Sequence, residues 1–106
     1  MKAVSLSARA RRSLDDIGAY SVKNFGDRRG DAYVASLLAR CRAVARGTEP
    51  HHACRDFFAE DLRDNLRFAR AGQHFVIFVE TPRDIVIIDF LHQSADIGNR
   101  LGDPPP

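Results

Sequence analysis

The sequence predicts an α+β domain in which a helical hairpin packs on a mostly antiparallel sheet, in the order β-α-α-β-β-β. Two long segments with helical periodicity come first, and three strand-like segments joined by short connections follow. Because helices and strands are segregated along the chain, we expect the helices on one face of a single sheet. With 106 residues, 44% of them hydrophobic, the chain has room for one compact domain.

The first half of the chain predicts an opening strand and two consecutive helices. The short segment Lys2–Leu6 alternates weakly, and Ser7 then has the residue type of a helix N-cap. Apolar or small residues recur every three or four positions up to Phe25, and Gly26 is placed to end this helix. A second helix is predicted from about Asp27 to Arg46. Its apolar stripe consists of Val34, Leu37, Leu38, Cys41, Val44 and Ala45.

The second half predicts a loop and then an antiparallel meander. Residues 48–63 are polar and acidic, so we expect a loop that either Phe57 or Phe58 anchors to the core. Because the connections that follow have two to four residues, the strands should pair as hairpins. The last strand is a β-branched run, which indicates burial on both faces. The three predicted strands are Asn65–Ala71, His74–Glu80 and Ile85–Leu91.

The C-terminal residues 102–106 are rich in proline, which lacks a backbone donor and favours extended chain. We therefore expect a disordered tail at 102–106 and a single domain at 1–101. The two cysteines do not indicate a disulfide scaffold, since Cys41 lies on the apolar face of a predicted helix. No segment approaches the roughly 20 apolar residues of a membrane span, and residues 1–7 do not resemble a signal peptide. We expect a cytoplasmic protein without membrane association.

The formal net charge of +2 is unevenly distributed. Residues 1–46 contain ten Lys/Arg against four Asp/Glu, whereas residues 47–106 contain six against ten. A basic first half fits an acidic partner protein or a nucleic acid. It fits equally well a pair of solvated amphipathic helices that happen to carry arginines.

Catalytic and cofactor motifs are missing from the sequence. It contains no glycine-rich phosphate loop, no nucleophile elbow and no HExxH, so we expect no catalytic residue and no cofactor. His51, His52 and Cys54 offer zinc-ligand chemistry, but a structural site needs four ligands and no second close pair follows. Two exposed loop histidines and an incidental cysteine are the simpler interpretation, and we predict no metal site.

A second histidine pair lies in the predicted meander. His74 is near the start of one strand and His92 near the end of the next, so antiparallel pairing could bring them together. Such a pair can perform acid–base chemistry, or the two rings can simply bond backbone at strand ends. Arg67 and Arg70 are three positions apart and should lie on opposite faces of their strand, which argues against an RNA-binding cleft.

Several short motifs along the chain resemble the ParE toxins of the RelE/ParE superfamily from bacterial type II toxin–antitoxin modules. The resemblance spans roughly residues 2 to 101, and its most specific parts are Gly72-Gln73-His74 and the closing segment. The matching pieces are Leu6-Ser7, Ala10, Leu14-Asp15-Asp16-Ile17, Tyr20, Phe25-Gly26, Tyr33, Pro50, Arg67, Gly72-Gln73-His74, Phe75–Phe78, Leu91–Ile97 and Leu101.

The resemblance implies a RelE/ParE-like fold and a toxin that is neutralised by a ParD-like antitoxin and directed at DNA gyrase. It also implies an antitoxin that lays an amphipathic helix and an extended tail along the helical hairpin and an open sheet edge. The expected antitoxin-binding residues are Tyr20, Phe25, Arg28, Tyr33 and Arg40. The expected target-binding residues are His92, Gln93, Asp96 and Arg100, unless the segment from Leu91 to Ile97 only closes the fold.

Two alternatives remain at this point: a RelE-like ribosome-dependent mRNA endonuclease, and an inactive module whose partner is the antitoxin. Two positions depart from the superfamily pattern. Asp89 stands where many members carry an arginine, and Phe78 stands where a tyrosine is common. The loss of a positive group near a scissile phosphate disfavours RNA cleavage. We expect no sequence-specific nucleic-acid binding by the toxin alone.

Overall fold

A computed structural model describes residues 2–102 and contains a five-stranded mixed sheet with two long helices packed on one face. The strand order is β1-β5-β4-β3-β2, in which β1 and β5 are parallel and the other neighbours are antiparallel. The elements are β1 (Ala3–Leu6), α1 (Ala8–Phe25), α2 (Asp27–Ala45), β2 (His52–Ala53), β3 (Leu66–Ala71), β4 (His74–Glu80), β5 (Asp84–His92) and α3 (Ile97–Gly102).

The predicted α+β class and the order of the long elements are confirmed, and three short elements are additional: β2, a 3-10 turn and α3. The predicted loop at 48–63 is partly wrong: β2 pairs with β3 there, and a 3-10 turn follows at Cys54–Asp56. The start of the predicted tail is also wrong, because Gly102 ends α3; residues 103–106 lie outside the described part of the chain. Elements of two to six residues are too short to show a periodicity in sequence.

Three residues define the helical hairpin: the N-cap Ser7 and the two glycines Gly26 and Gly30. Ser7 Oγ accepts a hydrogen bond from Ala10 N at 3.0 Å and caps α1, as predicted. Gly26 separates the helices with a φ of +88°, a conformation that side chains with a Cβ rarely adopt. At Gly30 a Cβ would lie 2.5 Å from Val22 Cγ2, so the two helices cross at a distance only glycine permits.

The sheet is buried on both faces, as the composition of β5 indicated. Between this sheet and the helices, Leu37 of α2 packs in one core with Phe78 and Ile87 of the sheet, all with 0% exposure. The opposite face is covered by the 3-10 turn, the loop after it and α3, which bury Phe68 and Ile77. No helix among residues 2–102 combines the length and the apolar composition needed to cross a membrane.

A β-bulge in β5 positions the charged residue Asp89. Phe78 pairs with Ile87 and Ile77 with Asp89, which leaves Ile88 without a partner in β4. Asp89 is 2% exposed, and its two carboxylate oxygens have different partners. Oδ1 accepts from Ser13 Oγ at 2.5 Å and Phe90 N at 2.8 Å, and Oδ2 pairs with Arg9 Nε at 2.9 Å. Asp89 therefore fastens α1 to β5.

Candidate functional site: an aromatic groove beside the helical hairpin

A groove of about 720 Å³ lies between α1, the start of α2, the turn from β3 to β4 and the end of β5. We call it the aromatic groove. Its volume is in the range of ligand-binding pockets, and apolar and aromatic side chains dominate its lining. The lining residues are Asp16, Ile17, Tyr20, Ser21, Phe25, Arg29, Tyr33, Gly72, Gln73, His74 and His92.

The rim of the groove exposes two large aromatic side chains. Tyr20 is 65% exposed and Phe25 is 58% exposed. Ile17, Tyr20 and Ser21 recur at the i, i+3, i+4 spacing of one helical face, so α1 presents this face to the groove. Exposed apolar patches on a folded domain often mark the site where a partner binds.

The floor of the groove is polar and its groups are paired. Tyr33 Oη lies 2.6 Å from His74 Nδ1 and accepts a hydrogen bond from Gln73 N at 3.1 Å. Gly72 has a φ of +60°, and a Cβ there would lie 2.9 Å from Tyr33 Cε1. Glycine is therefore required both for the turn conformation and for the approach of the tyrosine ring.

The two histidines of the meander meet at this floor, as their positions in sequence suggested. His74 and His92 are direct cross-strand partners, with ring centroids 5.2 Å apart and planes perpendicular. Ser94 N donates to His92 Nδ1 at 3.1 Å, which leaves Nε2 of the neutral ring to carry the hydrogen. Burial, and then the charge that His92 can carry, lower the pKa of His74 below its ordinary value.

The residues predicted to contact an antitoxin are only partly brought together. Tyr20, Phe25 and Tyr33 share the aromatic groove. Arg28 is exposed in the first turn of α2 but does not line the groove. Arg40 lies further along α2 and forms an ion pair with Glu49 at 2.6 Å.

The residues predicted to contact a target separate in a similar way. His92 lines the groove, whereas Gln93 Oε1 accepts from Arg70 Nη2 at 2.6 Å. Asp96 precedes α3, and its carboxylate accepts from the Asn99 side chain at 2.6 Å and from Asn99 N at 3.5 Å. Arg100 is exposed on α3. The segment thus does close the fold, and its contact with a target stays a prediction.

Asp16, Arg29 and Gln73 also line the groove, although the sequence had not marked them as binding residues. The signal that could have revealed the first two is helical spacing. Asp16 precedes Tyr20 by four positions, and Arg29 precedes Tyr33 by four, so each charge lies on the same helix face as its aromatic neighbour.

The possible zinc ligands are otherwise engaged. His51 Nδ1 accepts from Arg67 Nε at 2.7 Å, and burial raises the pKa of the Cys54 thiol to about 12. A protonated, buried thiol is a poor metal ligand. Within residues 2–102 no three His, Cys, Asp or Glu side chains are grouped closely enough to hold a metal ion.

The two departures from the superfamily pattern lie outside the groove. Asp89 is engaged by α1, and Phe78 is fully buried, with its ring 5.2 Å from the ring of His51 in an edge contact. Both residues stabilise the fold, and neither contributes to the surface that the groove presents.

Fold and groove together define a small α+β domain with an exposed aromatic surface beside a helical hairpin. Comparison with known proteins identifies its family. Residues 4–97 match the family described as ParE toxin of type II toxin–antitoxin system, parDE. The chain belongs to this family of toxins. It is 34% identical over 102 residues to Toxin ParE1 of Caulobacter vibrioides, covering 96% of this chain and 100% of that protein.

Two solved structures share the fold. One is a chain of the chromosomal ParDE TA system from P. aeruginosa, with a TM-score of 0.69 and 13% identity, over 87% of this chain and 96% of that chain. The other is a mutant of YafQ from E. coli, with a TM-score of 0.54 and 12% identity, over 89% and 96% of the two chains. At these identities the likeness concerns the fold alone.

Proposed function

We propose that this toxin is neutralised by a ParD-like antitoxin that fills the aromatic groove. The observation that carries the proposal is the exposure of Tyr20 and Phe25 on the rim of an apolar groove. Membership of the ParE family supports an antitoxin as the occupant, and the basic first half of the chain suits an acidic partner.

The antitoxin contributes an amphipathic helix or an extended segment whose apolar side chains enter between the two aromatic rings. Buried aromatic anchors are the residues that dominate interface energetics, and truncating one typically costs 2 kcal/mol or more, or about thirtyfold in Kd. Arg29 at the other side of the groove is available to an acidic side chain of the same segment.

The test is isothermal titration calorimetry of the full-length toxin with its cognate antitoxin. We expect Tyr20→Ala and Phe25→Ala each to raise the Kd by about thirtyfold. Lys23→Ala is the matched control, since Lys23 is exposed on α1 between these residues but does not line the groove. An antitoxin that binds both aromatic variants as tightly as the control would refute the proposal.

We further propose that DNA gyrase is the target, which the family resemblance implies. The surface offered to it is the exposed end of the chain at His92, Gln93, Asp96 and Arg100. Purified toxin should stabilise cleaved DNA in a gyrase reaction, and Arg100→Ala should weaken the effect. Unchanged supercoiling at high toxin concentration excludes gyrase as the target.

A ribosome-dependent mRNA endonuclease is the second candidate, because the cross-strand contact of His74 and His92 is an arrangement suited to acid–base chemistry. This activity predicts cleavage of ribosome-bound message by the wild type. His74→Gln and His92→Gln should then abolish cleavage, whereas His52→Gln, outside the groove, should leave it intact. Intact message in the presence of wild-type toxin eliminates this candidate.

A further inference from the structure

We propose that His74 and His92, the histidine pair, make antitoxin binding sensitive to acid: the bound antitoxin covers the pair in its neutral form, and protonation weakens the complex. This inference rests on the proposed occupation of the aromatic groove by the antitoxin. Both rings line that groove, so a segment seated in it removes them from water. Transfer of a charged imidazolium from water to an apolar interface is unfavourable.

The hydrogen bonds around the pair favour the neutral rings. Gln73 N donates to Tyr33 Oη, and the hydroxyl can in turn donate to a bare His74 Nδ1, which satisfies all three groups. Protonation of His74 reverses the second bond and leaves the Tyr33 hydroxyl hydrogen without this acceptor. Protonation of His92 at Nδ1 ends the hydrogen bond that Ser94 N donates to it, while Ser94 Oγ, 2.7 Å away, can accept the new N–H.

The contact between the two rings works in the same direction. Two imidazolium rings with centroids 5.2 Å apart repel each other, so one charge disfavours the second. Burial and the charge on His92 already lower the pKa of His74 in the free toxin, and a covering segment lowers it further. Each proton that the free toxin binds and the complex does not must be released on association.

The charged groups that face the pair do not reverse this preference. Asp16 of α1 favours a positive ring, and Arg29 of α2 opposes it, so the two helices contribute opposite charges to the groove. Tyr20 and Tyr33 are the other titratable groups of the lining. Arg70 of β3 donates to Gln93, the residue that follows β5, which adds a further positive charge near the strand end. The groove therefore has no net charge that would hold an imidazolium in place.

The size of the effect follows from proton linkage. A histidine with an ordinary pKa of about 6.5 that is kept neutral in the complex lowers the affinity about tenfold between pH 7.5 and pH 5.5. Since the pKa of His74 lies lower, its share appears at the acidic end of this range. We expect the wild-type Kd to rise about tenfold over these two pH units.

The test is calorimetric titration of full-length toxin with its antitoxin at pH 7.5, 6.5 and 5.5. The wild type should lose about tenfold in affinity, and the double variant His74→Gln/His92→Gln should show a flat profile. His52→Gln is the matched control, because His52 is exposed on β2, outside the groove, and should retain the wild-type slope.

A slope that survives in the double variant, or an affinity that rises with acid, overturns the inference and leaves the proposed function standing. An antitoxin that does not bind at pH 7.5, or that binds without sensitivity to Tyr20→Ala, overturns both. Because substitution of the pair can impair folding, the imidazole C–H proton resonances of the wild type provide a second measurement. His74 should titrate at lower pH in the complex than in the free toxin, and an unchanged midpoint would contradict the inference.

Discussion

The ion pair between Arg9 and Asp89 permits a quantitative prediction, because the two oxygens of the buried carboxylate have separate partners. Oδ1 receives Ser13 Oγ and Phe90 N, whereas Oδ2 receives only Arg9. Asp89→Asn keeps an oxygen for the first two donors and turns an amide NH₂ toward the guanidinium. This substitution therefore deletes the ion pair with Arg9 and leaves the other two donors with a neutral amide oxygen as their acceptor.

The expected loss of folding free energy follows from those partners. A hydrogen bond to a charged group contributes about 1.5–3 kcal/mol. Because the Arg9 side chain is 45% exposed and can return to water, we expect about 2 kcal/mol for Asp89→Asn. Asp89→Ala also removes both Oδ1 contacts and leaves the buried Phe90 N–H without a partner, so the total should reach about 4 kcal/mol.

Urea unfolding followed by circular dichroism measures these differences, with Arg9→Gln completing a double-mutant cycle. Arg9→Gln should cost little once Asp89 is already Asn. Arg40→Gln is the control, since it breaks the more exposed pair with Glu49 and should cost below about 1 kcal/mol. Equal stabilities for wild type, Asp89→Asn and Asp89→Ala would show that the carboxylate does not fasten α1 to β5.

Three further outcomes are expected. Gly30→Ala should lower the free energy of unfolding in urea by about 2–3 kcal/mol, because the added Cβ meets the backbone of α1. Gly102→Ala is the control, since there is open space around Gly102, and it should change the free energy of unfolding little. Phe58→Ala should cost about 2–3 kcal/mol, since its ring packs 4.7 Å from that of Phe68, and Phe57→Ala, 61% exposed, should cost less than about 1 kcal/mol. Burial and the neighbouring Arg67 lower the folded-state pKa of His51, so stability should fall as pH drops below about 6.5, and His51→Gln should reduce that slope in a pH series of unfolding curves.

Much of the fold is predictable from local patterns. The helical stripe that contains Leu37 and Cys41 is buried, and the run from Ile85 to Leu91 forms a central strand. Strict alternation would also place Ile85, Ile87 and Asp89 on one face, with Phe90 on the other. The bulge at Ile88 changes this phase, and nothing in the local sequence specifies where an extra residue is inserted.

The groove itself is less predictable, because it depends on contacts between distant segments. Tyr20 and Phe25 are identifiable as aromatic residues on one helix. Their exposure, however, depends on where α2 crosses α1 and on how far the turn at Gly72 extends toward the helices. The approach of His74 and His92 is predictable, because antiparallel pairing places the start of one strand beside the end of the next. The partner of that pair, Tyr33, lies about 40 residues away in sequence and carries no local signal.

The parallel pairing of β1 with β5 has a consequence for synthesis of the toxin. Ala3 lies beside Asp84, so the sheet joins the first strand of the chain to its last. Such a contact closes a loop of about eighty residues and forms slowly compared with local structure. The floor of the aromatic groove includes His92, at the very end of β5. A growing chain therefore displays neither the complete sheet nor the complete groove until His92 has left the ribosome, and the surface for a partner arises together with the closed sheet.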